Sequence, residues 1–264
     1  MKLFSFKSMR IITLLILLAT VAIYTKGQRL SSQGWYQPLQ VSLFPINADD
    51  STNTAEFIAT INPKVYAEID DFMVRESKKY KVITSTPTQI SLGPVVHSVP
   101  PPPPALDGNA LFIIIWSLKL RWWAFRNTPD DLSNKRRIRI FILYQQGQEG
   151  VPLAHSLGLQ KGLIGIVHAF ARPEQNAQNN IVITHELLHT VGATDKYAND
   201  GLPNFPQGYA EPHRTPRLPQ RRAEIMAGRI PISPTQWKMP ASLRDVVVGT
   251  ETAREINWIA SPKY

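Results

Sequence analysis

His185-Glu186-Leu187-Leu188-His189 is the segment of this chain best equipped for chemistry. Two histidines four residues apart lie on one face of a helix, so both imidazoles can reach one metal ion. The glutamate beside the first histidine projects toward an open metal position, where it can take a proton from water. The flanks suit a half-buried helix: Ile181, Val182 and Ile183 lead in, and Leu187, Leu188 and Val191 supply an apolar face.

The run continues as Thr190-Val191-Gly192-Ala193-Thr194-Asp195. A glycine three residues after the second histidine can adopt the left-handed conformation, end the helix and turn the chain sharply. The residue three further on can then swing back to the metal. A carboxylate there completes a three-ligand site with the fourth position left for water. The pattern H-E-x-x-H-x-x-G-x-x-D, carried by His185, Glu186, His189, Gly192 and Asp195, resembles the long motif of the metzincin zinc endopeptidases. Most of that family end the motif in His, a minority in Asp. Metzincins also set a methionine in a tight turn under the zinc. Met226, 37 residues past His189 in Ala223-Glu224-Ile225-Met226-Ala227-Gly228, fits that place; read alone it is core filler. Some members carry a tyrosine two residues past the methionine. Gly228 stands there, which leaves Tyr197 or Tyr209 to take over. The resemblance implies Zn2+ as cofactor, His185, His189 and Asp195 as ligands, Glu186 as general base, and Gly192 and Met226 as supports.

Other ligands compete for the third position. Glu211 lies 22 residues past His189, near where thermolysin-like enzymes supply a glutamate, and His213 is close by. Both would need a second helix, yet residues 201–219 hold five prolines and two glycines and read as loop. We rank Asp195 first, His213 second and Glu211 third. Asp195 can instead cap the helix end or pair with Lys196. His155 and His168 flank a strand region without an acidic cluster and read as structural or exposed. His97 belongs to no constellation.

The elements that must position this motif are legible in outline. Residues 39–46 alternate as a strand and 54–81 read as helix, with one apolar stripe before Pro63 and another after it. Residues 82–96 look extended, and 138–144 and 163–170 are strands. Five prolines at 100–104 form a polyproline loop. Residues 111–127 are ambiguous. We read them as a core helix with a basic outer face, capped by Asp107 or Asn109; the alternative seats their tryptophans, with Lys119, Arg121 and Arg126, at a membrane interface. The order of elements resembles the metzincin fold and implies an α+β class, with a mixed sheet, a long helix before it and an active-site helix after the edge strand. In that fold the edge strand pairs with an extended peptide or protein substrate. Residues 162–171 occupy that slot, and strand addition would supply main-chain hydrogen bonds.

Composition bounds the rest. The absence of cysteine excludes a disulfide framework, a Cys-ligated metal and a Cys nucleophile. Five of the 29 basic residues flank the N-terminal apolar run, which leaves 24 against 20 acids, so no nucleic-acid partner is expected. A basic start followed by the uncharged residues 11–25 has the layout of an export signal. Residues 1–29 are therefore expected to be an uncleaved signal anchor or a cleaved signal peptide, and 30–264 one catalytic domain. The body would be membrane-anchored and outside the cytoplasm, or secreted or periplasmic after cleavage. Three functions fit: a zinc endopeptidase, a zinc hydrolase of cell-wall amide bonds, and a membrane-anchored interaction protein with structural zinc. Glu186 argues against the last, because a structural zinc needs four closed ligands and no base.

Overall fold

A computed structural model of the chain describes residues 6–104, 110–129, 137–147, 153–160 and 162–259. A first helix, α1 (Phe6–Ser32), leads into the body. Strand β1 (Leu39–Asn47) is followed by α2 (Thr52–Thr60) and α3 (Ala67–Lys79). Then come β2 (Thr88–Leu92), α4 (Ala110–Arg126), β3 (Ile138–Gln145), β4 (Leu157–Leu159), β5 (Ile164–Phe170) and α5 (Asn176–Thr190). The rest is mostly irregular, with short strands β6 (Ala223–Glu224), β7 (Ile230–Ser233), β8 (Gln236–Lys238) and β9 (Val246–Val247), and a last helix, α6 (Thr250–Glu255).

The class is mixed α+β. Five strands form a sheet in the order β2-β1-β3-β5-β4; the first four are parallel, and β4 runs antiparallel to β5. Strands β1 and β3 are buried almost throughout, as strands covered on both faces must be. On one face Val41, Leu43, Ile140, Ile142 and Val167 meet α2, α3 and α5 through residues such as Phe57, Phe72 and Leu188. On the other, Phe44, Ile46, Phe141, Leu143 and Ile166 meet Leu120 and Ala124 of α4.

Three sequence expectations change here. The helical region 54–81 is two helices. Pro63 cannot donate to a continuing helix, and Asn62 instead caps a 3-10 turn by accepting from the Lys64 N–H. The expected edge strand at 162–171 is an interior strand: β5 lies between β3 and β4, so the edge is β4. Gly162 and Leu163, both at positive φ, precede β5 and let the chain reverse from β4. Segment 111–127 is a helix but not a core helix. Only Leu120 and Ala124 are fully buried, and Leu111, Phe112, Ile114, Leu118, Trp122 and Phe125 are each more than half exposed. The expected caps Asp107 and Asn109 lie outside the described residues.

Residues just past α1 are fastened to the far end of the chain. The Trp35 indole donates to Ile256 O at 2.6 Å, and Asn257 donates to Gln33 O at 3.0 Å. Among the described residues, no helix is long and apolar enough to cross a membrane.

Candidate metal centre

Helix α5 carries the His-Glu-x-x-His segment, and two side chains fix its placement. Asn179 donates to Phe170 O at 2.9 Å and accepts the Phe170 N–H at 3.1 Å, which clamps the first turns to the end of β5. Asn180 donates to Val65 O at 2.8 Å, tying α5 to the segment before α3. Ile183, Leu187 and Leu188 anchor the buried face. His185 and His189 then emerge together at the rim, with side chains 13% and 18% exposed.

Gly192 has φ +107 and breaks the helix, as a residue without Cβ can. The Ala193 N–H closes the end on Leu188 O at 3.0 Å. The following loop is held by Glu255 of α6, which accepts from the Thr194 N–H at 2.9 Å and from buried Lys196 at 2.7 Å. Lys196 thus pairs with Glu255 and not with Asp195. This loop returns Asp195 to the histidines. Its Oδ1 lies 3.0 Å from His185 Nε2 and 3.1 Å from His189 Nε2, and the two Nε2 atoms are 3.0 Å apart.

The partners of the other ring nitrogens give this triangle its meaning. His185 Nδ1 faces Ile225 O at 3.0 Å, and His189 Nδ1 faces Ala193 O at 2.8 Å. A carbonyl only accepts, so each Nδ1 carries the proton and each Nε2 presents a lone pair to its neighbours. Two lone pairs and a carboxylate oxygen so close together call for positive charge among them. Two imidazoles and one carboxylate are a donor set that suits zinc and leaves a coordination position open. Among the described residues, His185, His189 and Asp195 form the one such group, their ligand atoms all within 4.8 Å of one another.

Burial raises the Asp195 carboxyl, but its close contacts with His185 and His189 outweigh it and hold the group well below the usual carboxylate range. For Glu186 the balance is reversed. Burial pushes its carboxyl up, against the lowering influence of both histidines and of the Gly158 N–H. Its Oε2 is buried and accepts no hydrogen bond. Gly158 of β4 makes this closeness possible. A Cβ there would meet Glu186 O and His189 Cβ at 2.5 Å each and Glu186 Oε2 at 3.1 Å, so only glycine lets the edge strand lie against α5.

Met226 is fully buried in a turn beside His185, whose ring contacts the preceding carbonyl. Glu224, fully buried, holds that turn. Its Oε2 accepts from the Met226 and Ala227 N–H groups at 2.6 and 3.1 Å, and its Oε1 from the Gly249 N–H and Thr252 hydroxyl at 3.0 and 2.8 Å. Sequence reasoning missed Glu224 and Glu255, because Gly249 and Thr252, and Thr194 and Lys196, which they hold, lie far away along the chain.

The competing ligands are elsewhere. The Glu211 N–H bonds Gln220, and its carboxylate lies 3.9 Å from Arg222. His213 lines a cavity of about 560 Å3 with Lys79, Tyr80 and Tyr209. Tyr209 packs edge-on against Phe205, whereas the Tyr197 ring lies 6.4 Å from that of His185. Burial first, then the Asp195 and Glu186 charges, raises the Tyr197 hydroxyl, so it stays protonated. Neither a protein-family model nor a curated protein matches this chain.

Proposed function

We propose that this chain is a zinc-dependent endopeptidase of metzincin-like architecture, acting outside the cytoplasm. The observation that carries the reading is the buried, unpartnered Glu186 Oε2 beside the converged His185, His189 and Asp195. A structural metal site has no use for such a group, whereas hydrolysis needs a base there. His185, His189 and Asp195 would hold the zinc, which would supply Lewis-acid chemistry at the site. Glu186 takes the proton from the attacking water and returns it to the leaving amine. Burial pushes its carboxyl up, which favours protonation and so helps it hold the proton between the two steps. Tyr197, kept protonated first by burial, can turn its one hydroxyl proton from Asp195 to the developing oxyanion.

Substrate binding is assigned to β4 in place of residues 162–171. Residues 157–159 pair with β5 on one side only, which leaves main-chain groups for an extended peptide, and Gly158 adjoins Glu186. The basic flank of the apolar N-terminal run supports an extracytoplasmic body. The test adds membrane-impermeant peptides to intact cells expressing the chain, and to the chain purified in detergent. Both cleave internal peptide bonds, an impermeant chelator stops the cleavage, and zinc restores it. Purified protein that holds zinc and cuts only cell-wall amides, or nothing, contradicts the endopeptidase reading. Cleavage by the purified chain but not by intact cells contradicts the location.

A further inference from the structure

Helix α4 has two apolar faces, and the fold uses one. Trp116, Leu120, Trp123 and Ala124 pack on the sheet. Leu111, Ile114, Ile115, Leu118, Trp122 and Phe125 recur at three- and four-residue steps and form a second stripe that faces solvent, with Leu118 62% and Trp122 66% exposed. A soluble surface rarely keeps so continuous an apolar strip without a partner.

The charges beside the stripe say what kind of partner. The helix contains Lys119, Arg121 and Arg126 and no acidic residue. Lys119 and Arg126 are exposed one heptad apart on its flank, and the Arg126 guanidinium lies 5.8 Å above the Trp122 ring. Residues 93–104 run alongside, tied by the Trp116 indole to Pro101 O and the Trp123 indole to Ser98 Oγ, both at 3.0 Å. That segment also lacks acids and adds exposed Val99. We propose that α4 docks flat on an anionic lipid bilayer, burying the Leu111–Phe125 stripe among the acyl chains with Lys119 and Arg126 at the headgroups.

Apolar residues below, cations at the side and an amphipathic tryptophan at the boundary make up an interfacial helix. Its 17 residues measure about 25 Å, short of the roughly 30 Å hydrocarbon core, and its inner face is already committed to the sheet, so it lies on the membrane and does not cross it. A second copy is the poorer occupant, because a two-fold contact would bring the cationic flanks together with no acid of α4 or of residues 93–104 to meet them. The metal centre lies on α5, across the sheet from α4, and so remains open to the aqueous side.

The chain has no cysteine, so a single one can carry a reporter. Leu118→Cys and, as control, Glu56→Cys at an exposed position of α2 are each labelled with bimane in the full chain. Each is then mixed with phosphatidylglycerol–phosphatidylcholine vesicles brominated on the acyl chains. The label at 118 is quenched by the bromines and shifts to the blue, and the label at 56 does neither. Adding Lys119→Gln and Arg126→Gln to the 118 reporter weakens docking roughly 30-fold, about fivefold for each cation near an anionic surface. A label at 118 that stays as wet as the control while the chain is bound to vesicles overturns the proposal. So does a label already shielded without lipid, which would mean that another copy or α1 covers the stripe.

Discussion

Glu186→Gln keeps the fold and the zinc and loses about 10²–10⁴-fold in turnover, the usual cost of removing a positioned base. Glutamine fills the same volume and can still accept from the Gly158 N–H through its carbonyl, so the packing of β4 on α5 survives. It cannot take a proton from water. The raised Glu186 pKa adds a pH signature. The base works only when ionised, so activity is present above its pKa and is lost as pH falls through it. Burial raises that pKa while the bound cation's charge lowers it, so the acid limb of the wild-type profile marks protonation of Glu186 and is absent from the residual activity of Glu186→Gln. Peptide turnover measured across pH, with zinc content determined on the same samples, checks both points. Zinc-loaded Glu186→Gln turning over at the wild-type rate would remove Glu186 from the mechanism.

The second large effect falls on a residue that never touches the metal. Glu224→Ala strands the Met226 and Gly249 N–H groups and the Thr252 hydroxyl in a largely buried place, while the Ala227 N–H keeps its bond to the main-chain oxygen of residue 224. Each unmet buried donor costs roughly 1–3 kcal/mol, so a loss of at least about 3 kcal/mol is expected, a large share of a domain's net stability. The same turn presents Ile225 O to His185 Nδ1. Its loosening frees the imidazole and should lower zinc affinity about 10–100-fold, as losing an outer partner of a metal ligand commonly does. Thermal unfolding and zinc titration of Glu224→Ala read the two effects separately. Wild-type melting with wild-type zinc affinity would show that Glu224 supports neither the turn nor the site.

The parts of this architecture that could be read in advance are those encoded locally. Helical spacing joins His185 to His189 within one turn, and Gly192 marks a break that the backbone realises at positive φ. Strands β1, β3 and β5 are long enough to reveal themselves by apolar content. Strand β4 has three residues around a glycine, too few to show a period, so the sequence pattern puts the edge one strand too late. Apolar content also misled at α4. A residue such as Leu118 looks the same in sequence whether it enters a core or faces a lipid, and only the position of the sheet distinguishes the two. Glu224 and Glu255 were invisible for a third reason. The donors to Glu255 and half of those to Glu224 lie 25 to 61 residues away, at Thr194, Gly249 and Thr252, and no local pattern announces such a pairing.

The central claim is that His185, His189 and Asp195 together hold one catalytic metal ion. Zinc binding to the full purified chain, titrated against a competing chelator beside His185→Ala, Asp195→Ala and His213→Ala, tests it most directly. Wild type and His213→Ala should each bind about one zinc per chain. His185→Ala and Asp195→Ala should each lose more than the 10–100-fold typical of an outer partner. Full affinity in Asp195→Ala with loss in His213→Ala, or a wild-type chain that takes up no zinc, would contradict it.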